Sequence, residues 1–172
     1  MIKLIFIFLL IFALGSCVSK QLPKPTGPDV GLLIVPTEGI RHVSGKFVYR
    51  YQFDFNDKDN VVIKVGNGKS FVAKVLKQGR YEFNAMKVFG INQGRTSATS
   101  KPSIYDLEEN YTFEIKPGEV TYFPFGVGAV IKSAGLRSFT QAPNYFELTE
   151  KVLNEYDEIV SKAENATLWQ QP

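Results

Sequence analysis

The feature that most constrains the fold is an alternation of aromatic and other residues over residues 46–55, KFVYRYQFDF. Every second position there is aromatic: Phe47, Tyr49, Tyr51, Phe53 and Phe55. Because successive side chains of a β-strand point to opposite faces, this period of two predicts a strand with one wholly aromatic face. Such a face must be covered by apolar surface, so we expect it to form the spine of the core of a β-rich domain.

Further short apolar segments bounded by turn residues predict additional strands on both sides of this one. Gly66-Asn67-Gly68-Lys69 is typical of a hairpin turn, and Lys116-Pro117-Gly118-Glu119 of a second tight turn. The predicted strands cover residues 31–36, 46–55, 61–65, 70–76, 80–89, 104–108, 111–115, 119–125 and 127–133. This spacing predicts a mainly β fold, an antiparallel β-sandwich of about eight strands, within a domain of residues 31–164.

The hydrophobic period changes near the C-terminus. Apolar residues recur there at intervals of three and four: Leu148, Val152, Tyr156, Ile159, Val160 and Ala163. This spacing predicts one C-terminal amphipathic helix over residues 146–163, docked on the sheet and capped by Asn144 or Thr149. Residues 165–172 are expected to form a flexible tail, in which Trp169 either packs back on the sheet or serves as an interaction point.

The N-terminus is predicted to be a signal sequence. Lys3 precedes an unbroken apolar run over residues 4–14, which is shorter than the roughly 20 residues that a membrane-spanning helix needs. The tetrad Leu14-Gly15-Ser16-Cys17 resembles the lipobox of bacterial lipoproteins. This resemblance implies cleavage between Ser16 and Cys17 and acylation of Cys17, so residues 1–16 form the signal peptide. An ordinary secretory signal that leaves Cys17 unmodified is the alternative.

A proline-rich segment follows the predicted lipidation site. Three prolines and a glycine interrupt residues 17–30, which predicts an extended tether with a reach of roughly 3 Å per residue. Because the lipobox resemblance implies acylation of Cys17, membrane lipid is one expected partner. An aspartate directly after the lipidated cysteine would resemble an inner-membrane retention signal, and this chain has Val18 there instead. We therefore expect an envelope protein anchored to the outer membrane and facing the periplasm.

Two turn-and-strand segments carry a second resemblance. Gly79-Arg80-Tyr81-Glu82-Phe83 and Lys116-Pro117-Gly118-Glu119-Val120-Thr121-Tyr122-Phe123 look like the strand starts of transthyretin-like and carboxypeptidase-regulatory-like domains, which some small lipoproteins contain. The resemblance covers roughly residues 61–125. It implies a β-sandwich and adds no catalytic residue.

The composition leaves few ways to build a catalytic or metal site. The chain has one His and one Cys, which excludes an intrachain disulfide and a multi-His zinc site. We expect no catalytic residue, no cofactor and no metal; a hydrolase using His42 remains an alternative. Gly68-Lys69-Ser70 lacks the earlier glycine of a phosphate-binding loop, and the cluster Asp54, Asp57 and Asp59 is expected to be a solvated turn rather than a calcium site.

The longest predicted loop, residues 90–103, is the candidate interaction surface. It is polar and contains Arg95 and Lys101, and structureless loops of this length are often binding loops. The formal charge of +3 does not indicate nucleic acid as a partner. We therefore expect a non-catalytic docking or accessory subunit for an envelope protein or polymer; a module that binds glycan or peptidoglycan is the alternative.

Overall fold

A computed structural model of the 172-residue chain describes residues 21–41, 49–55, 59–89, 102–133 and 139–169. Within these ranges the chain forms nine strands and one α-helix. The strands are β1 (Val30–Arg41), β2 (Tyr49–Phe55), β3 (Asp59–Val65), β4 (Gly68–Lys77), β5 (Gly79–Phe89), β6 (Ser103–Ile115), β7 (Val120–Tyr122), β8 (Gly126–Ser133) and β9 (Phe139–Phe146). The helix α1 spans Glu150–Ser161, and a 3-10 turn follows at Ala166–Leu168.

Two sheets pack face to face, which confirms the predicted mainly β sandwich. The first sheet has the order β4-β1-β8-β9, with β7 also paired to β1, and the second has the order β3-β2-β5-β6. The pairing differs from a purely antiparallel sandwich in two strand pairs, because β1 runs parallel to both β7 and β8. The chain enters β7 from β6 of the second sheet, and no hairpin joins β7 to β1. The strands β1 and β7 are therefore free to run in the same direction.

The turn at residues 66–67 joins the two sheets, so the hairpin predicted there is wrong. In the described structure β3 pairs with β2, whereas β4 pairs with β1 in the opposite sheet. The corner is tight: a Cβ added to Gly39 would lie 1.7 Å from the carbonyl oxygen of Gly66. Glycine and asparagine serve a crossing between sheets as well as a hairpin, so their presence does not reveal which strands pair.

The aromatic face of β2 lies at the centre of the core, as predicted for the residues whose side chains are described. Tyr51, Phe53 and Phe55 are fully buried. The Phe53 and Phe55 rings meet aromatic side chains of the second sheet and of the connection between β7 and β8, mostly edge to face. The Phe53 ring lies 5.3 Å from that of Phe83 and 5.0 Å from that of Phe123. The Tyr51 hydroxyl donates a hydrogen bond of 2.6 Å to the carbonyl oxygen of Gly128 and so ties the second sheet to the first.

Helix α1 covers the outer face of the first sheet, and it is shorter than predicted. It begins at Glu150, after Thr149, whose hydroxyl accepts a hydrogen bond from the Val152 amide. Residues 146–149 are not helical, since β9 extends to Phe146. The sequence prediction missed β9 because FTQAPNYF does not alternate clearly and contains Pro143, which a strand at the edge of a sheet tolerates.

Both ends of the described chain join this outer layer and form a second apolar cluster. Its buried members are Leu22, Val30, Leu32, Ile34, Phe71, Val120, Val160, Ala163 and Trp169. The Leu22 amide donates to the carbonyl oxygen of Glu164 at 2.9 Å, and the Asn165 side chain donates to the Leu22 carbonyl at 3.0 Å. We call residues 21–26 together with 165–169 the terminal clasp.

The terminal clasp differs from the tether and tail predicted at the two ends. Leu22 is only 1% exposed, so the described part of residues 17–30 does not behave as a free linker. Trp169 is 4% exposed and is packed back on the sheet rather than part of a flexible tail. The proposed lipidation and cleavage residues, Cys17 and Ser16, lie outside the described residues. No helix in the described part of the chain is long and apolar enough to cross a membrane.

Candidate docking surface

The edge strand β6 contains a bulge of several residues, which shapes the candidate surface. Phe83 pairs with Tyr111 and Ala85 pairs with Asp106, so a single residue of β5 lies opposite residues 107–110 of β6. The sequence prediction placed a break between two strands at this point, whereas the structure has one strand with extra residues. Bulges bend a strand and redirect its side chains, and they occur often beside binding sites. Here the bulge holds the adjacent carboxylates Glu108 and Glu109 at the surface.

An aromatic seam lies where β6 and β9, the edge strands on one side of the sandwich, approach each other. The ring of Phe125 lies 5.0 Å from that of Tyr111 on β6 and 5.5 Å from that of Tyr145 on β9. Phe125 is buried, whereas Tyr145 is 50% exposed. We call Tyr111, Phe125 and Tyr145 the edge seam. It is the place where the aromatic core reaches solvent between the two sheets.

Two carboxylates, those of Glu108 and Glu109, lie beside the Tyr111 side of the edge seam. Burial and the nearby Glu109 carboxylate, to which the Tyr111 hydroxyl donates a hydrogen bond, raise the pKa of Tyr111, and the Glu108 charge acts in the same direction. The seam therefore combines aromatic faces with hydrogen-bond acceptors. Such a combination suits a partner that offers apolar or cationic groups together with hydrogen-bond donors.

Two more exposed apolar side chains lie at the start of β6. Ile104 is 64% and Tyr105 44% exposed. Tyr105 pairs with buried Met86 and so belongs to the core-facing side of the strand, whereas Ile104 pairs with Lys87 on the outer side. The exposed side chains therefore continue from the edge seam toward the connection between β5 and β6.

The predicted interaction loop is this connection. Its candidate residues Arg95 and Lys101 lie outside the described residues, as does His42. The strands that flank the loop pair up to Val88 and Ser103, so the loop leaves the sandwich beside Ile104 and Tyr105. The sequence indicated this region but missed the edge seam, because Tyr145 belongs to the strand that the prediction did not find.

The remaining chemical candidates have structural roles where they are described. Lys69 of the Gly68-Lys69-Ser70 segment forms an ion pair with Glu155 of α1. Asp54 lies 2.5 Å from the Lys87 ammonium and accepts a hydrogen bond of 2.7 Å from Gln52, while Asp59 lies 3.8 Å from Lys74. Asp57 lies outside the described residues. In the described ranges, no three His, Cys, Asp or Glu side chains are grouped closely enough to hold a metal ion.

Comparison with known proteins adds no assignment. No protein-family model, curated protein or solved structure matches the chain. The resemblances to bacterial lipoproteins and to transthyretin-like domains therefore stay predictions, and the functional argument depends on the residues and their geometry.

Proposed function

We propose that this protein is a lipid-anchored lipoprotein of the cell envelope that acts as a non-catalytic docking or accessory subunit. The lipobox at residues 14–17 supports the anchor through Cys17, and Val18 favours the outer membrane with the domain facing the periplasm. The edge seam carries the docking role. Natural sandwiches usually keep such edges polar or covered, whereas here Tyr145 is half exposed directly beside the aromatic core.

Docking through the edge seam is tested by site-specific crosslinking in intact cells. A photoreactive amino acid replaces Tyr145 in one variant and Ile40 in a matched control, since Ile40 is 45% exposed and lies on β1. We expect a discrete crosslinked partner from position 145 alone, and its loss when Cys17→Ser removes the anchor. Equal products from positions 145 and 40, or none from 145, would exclude the seam as the docking surface.

A glycan or peptidoglycan ligand is the second candidate, and the exposed Tyr145 ring favours it. Sugar rings stack on aromatic faces, and their hydroxyl groups donate hydrogen bonds to carboxylates such as Glu109. The test is cosedimentation of the protein with purified peptidoglycan. Tyr145→Ala should release the protein to the supernatant, whereas Ile40→Ala should not. If both variants still sediment like the wild type, the seam does not bind the polymer.

A further inference from the structure

The terminal clasp forms a surface with very little charge. Its two segments, residues 21–26 and 165–169, contain a single charged residue, Lys24. Leu168 is 48% exposed there, and a shallow depression of about 480 Å³ is lined by Gln21, Lys24 and Asn165 among others. A surface with one exposed leucine and one lysine can approach lipid headgroups without burying unpaired charges.

The length of chain between the clasp and Cys17 restricts how far this surface can lie from the membrane. Gln21 lies four positions after Cys17, and a fully extended chain spans at most about 3.5 Å per position, or about 14 Å in all. A folded domain of this size is roughly 40 Å across. The reach is thus well below the diameter of the domain, so the part of the surface where the chain emerges must stay close to the anchor.

The chain cannot gain reach by releasing the clasp without a loss of packing. Leu22 is buried, and its amide and carbonyl both hydrogen-bond to the C-terminal segment. The residue after Leu22 is bound as well: the Nε1 atom of Trp169 donates a hydrogen bond of 2.9 Å to the carbonyl oxygen of Pro23. Pulling residues 21–26 away would expose Leu22 and leave these polar groups without partners.

We propose that the terminal clasp is the face of the domain that lies against the headgroups of the bilayer in which Cys17 is anchored. This orientation rests on the proposed lipidation of Cys17. The outer face of the second sheet then points away from the membrane, because the first sheet and the core separate it from the clasp. Stacked sheets lie about 10 Å apart, so Ile104 on that outer face lies at least one sheet spacing farther from the headgroups than the clasp does.

The orientation is measured with single fluorescent labels on lipidated protein reconstituted into phosphatidylethanolamine and phosphatidylglycerol vesicles. Leu168→Cys and Lys24→Cys place a label on the clasp, and Ile104→Cys places a matched label on the second sheet. All three side chains are exposed, so the substitutions leave the core intact. Lipids with a nitroxide on the headgroup then quench labels that lie near the membrane surface.

We expect quenching at positions 168 and 24 to be several-fold stronger than at position 104. Equal quenching at the three positions, or the strongest quenching at 104, would overturn the orientation. Failure of the anchor gives a different result: Cys17 is the only cysteine of the chain, so wild-type protein that itself accepts a thiol-reactive label has no lipid on Cys17.

Discussion

The indole Nε1 of Trp169 donates a hydrogen bond of 2.9 Å to the carbonyl oxygen of Pro23, 146 positions earlier in the chain. This contact joins the residues nearest the proposed anchor to the last described turn. Both segments cover the outer face of the first sheet, where Trp169 packs into the same apolar cluster as Leu22 and Val160. The ends of the domain therefore stabilise each other and the layer that contains α1.

Replacement of Trp169 should lower stability in two steps. Trp169→Phe keeps much of the packing and removes the hydrogen bond to Pro23, with an expected loss of about 1 kcal/mol. Trp169→Ala also empties the site, with an expected loss of about 3–5 kcal/mol. Urea unfolding followed by circular dichroism measures both. Leu168→Ala is the matched control, because Leu168 is the neighbour of Trp169 in the chain and its side chain is half exposed. Equal losses for Trp169→Ala and Leu168→Ala would show that Trp169 does not hold the terminal clasp together.

Leu22→Ala distinguishes a docked N-terminal segment from a free tether. The Leu22 side chain is 1% exposed, so its truncation should lower the free energy of unfolding by about 2–5 kcal/mol. Lys24→Ala, at an exposed position two residues later, should change it by less than about 0.5 kcal/mol. The same chemical denaturation experiment reports both values. A negligible effect of Leu22→Ala would mean that residues 21–26 are not bound to the domain.

Stability should fall at alkaline pH because two tyrosines that hold α1 to the sheet are hard to ionise. Burial and the hydrogen bond of 2.5 Å to Asp157 raise the pKa of Tyr122, and burial together with the charges of Glu38 and Glu155 raises that of Tyr156. The folded protein therefore holds these protons more tightly than the unfolded chain. Their contribution is complete below pH of about 10 and declines as pH rises above it.

The urea midpoint measured from pH 8 to 11 tests this dependence. Tyr122→Phe removes one of the two groups and should give a shallower alkaline decline than the wild type. Its midpoint at pH 8 should also be lower, since the hydrogen bond to Asp157 contributes about 1 kcal/mol. Leu168→Ala serves as the reference for an unrelated substitution. Parallel declines in the wild type and Tyr122→Phe would show that Tyr122 does not cause the effect.

The sequence predicted the sandwich because its strongest signal is local. The alternation that buries Tyr51, Phe53 and Phe55 is visible in ten consecutive residues, and Thr149 was one of two predicted helix caps. Strand pairing was less predictable. Gly66-Asn67 reverses the chain equally well within one sheet or between two, and the choice depends on which apolar faces meet across the core.

The missed features are contacts between distant segments. The hydrogen bond from Trp169 to Pro23 leaves no periodic pattern at either residue. Similarly, the edge seam brings Tyr111 and Tyr145 to the two sides of Phe125, which no spacing within β6 or β9 indicates. The bulge that carries Glu109 depends on how β6 pairs with β5 and cannot be read from β6 alone. The interaction loop with Arg95 and Lys101 remains a prediction.

The absence of a side chain at Gly126 should be essential for the packing of α1. A Cβ at this position would lie 2.1 Å from the Cζ atom of Phe146, whose ring lies 6.5 Å from that of Tyr156 in a stacked arrangement. Tyr156 in turn donates a buried hydrogen bond of 2.8 Å to the carbonyl oxygen of Thr37. Gly126→Ala must therefore displace a ring that contacts the helix, with an expected loss of about 1–3 kcal/mol.

A second substitution separates crowding from a backbone effect at Gly126. In the double variant Gly126→Ala with Phe146→Ala, the ring is gone, so the added methyl group should cost much less than it does beside Phe146. The coupling between the two substitutions is obtained from the four unfolding free energies of a double-mutant cycle. Gly66→Ala is the matched control, since a Cβ there meets no atom within 4 Å. Strictly additive effects of the two substitutions would show that the Phe146 ring does not require glycine at position 126.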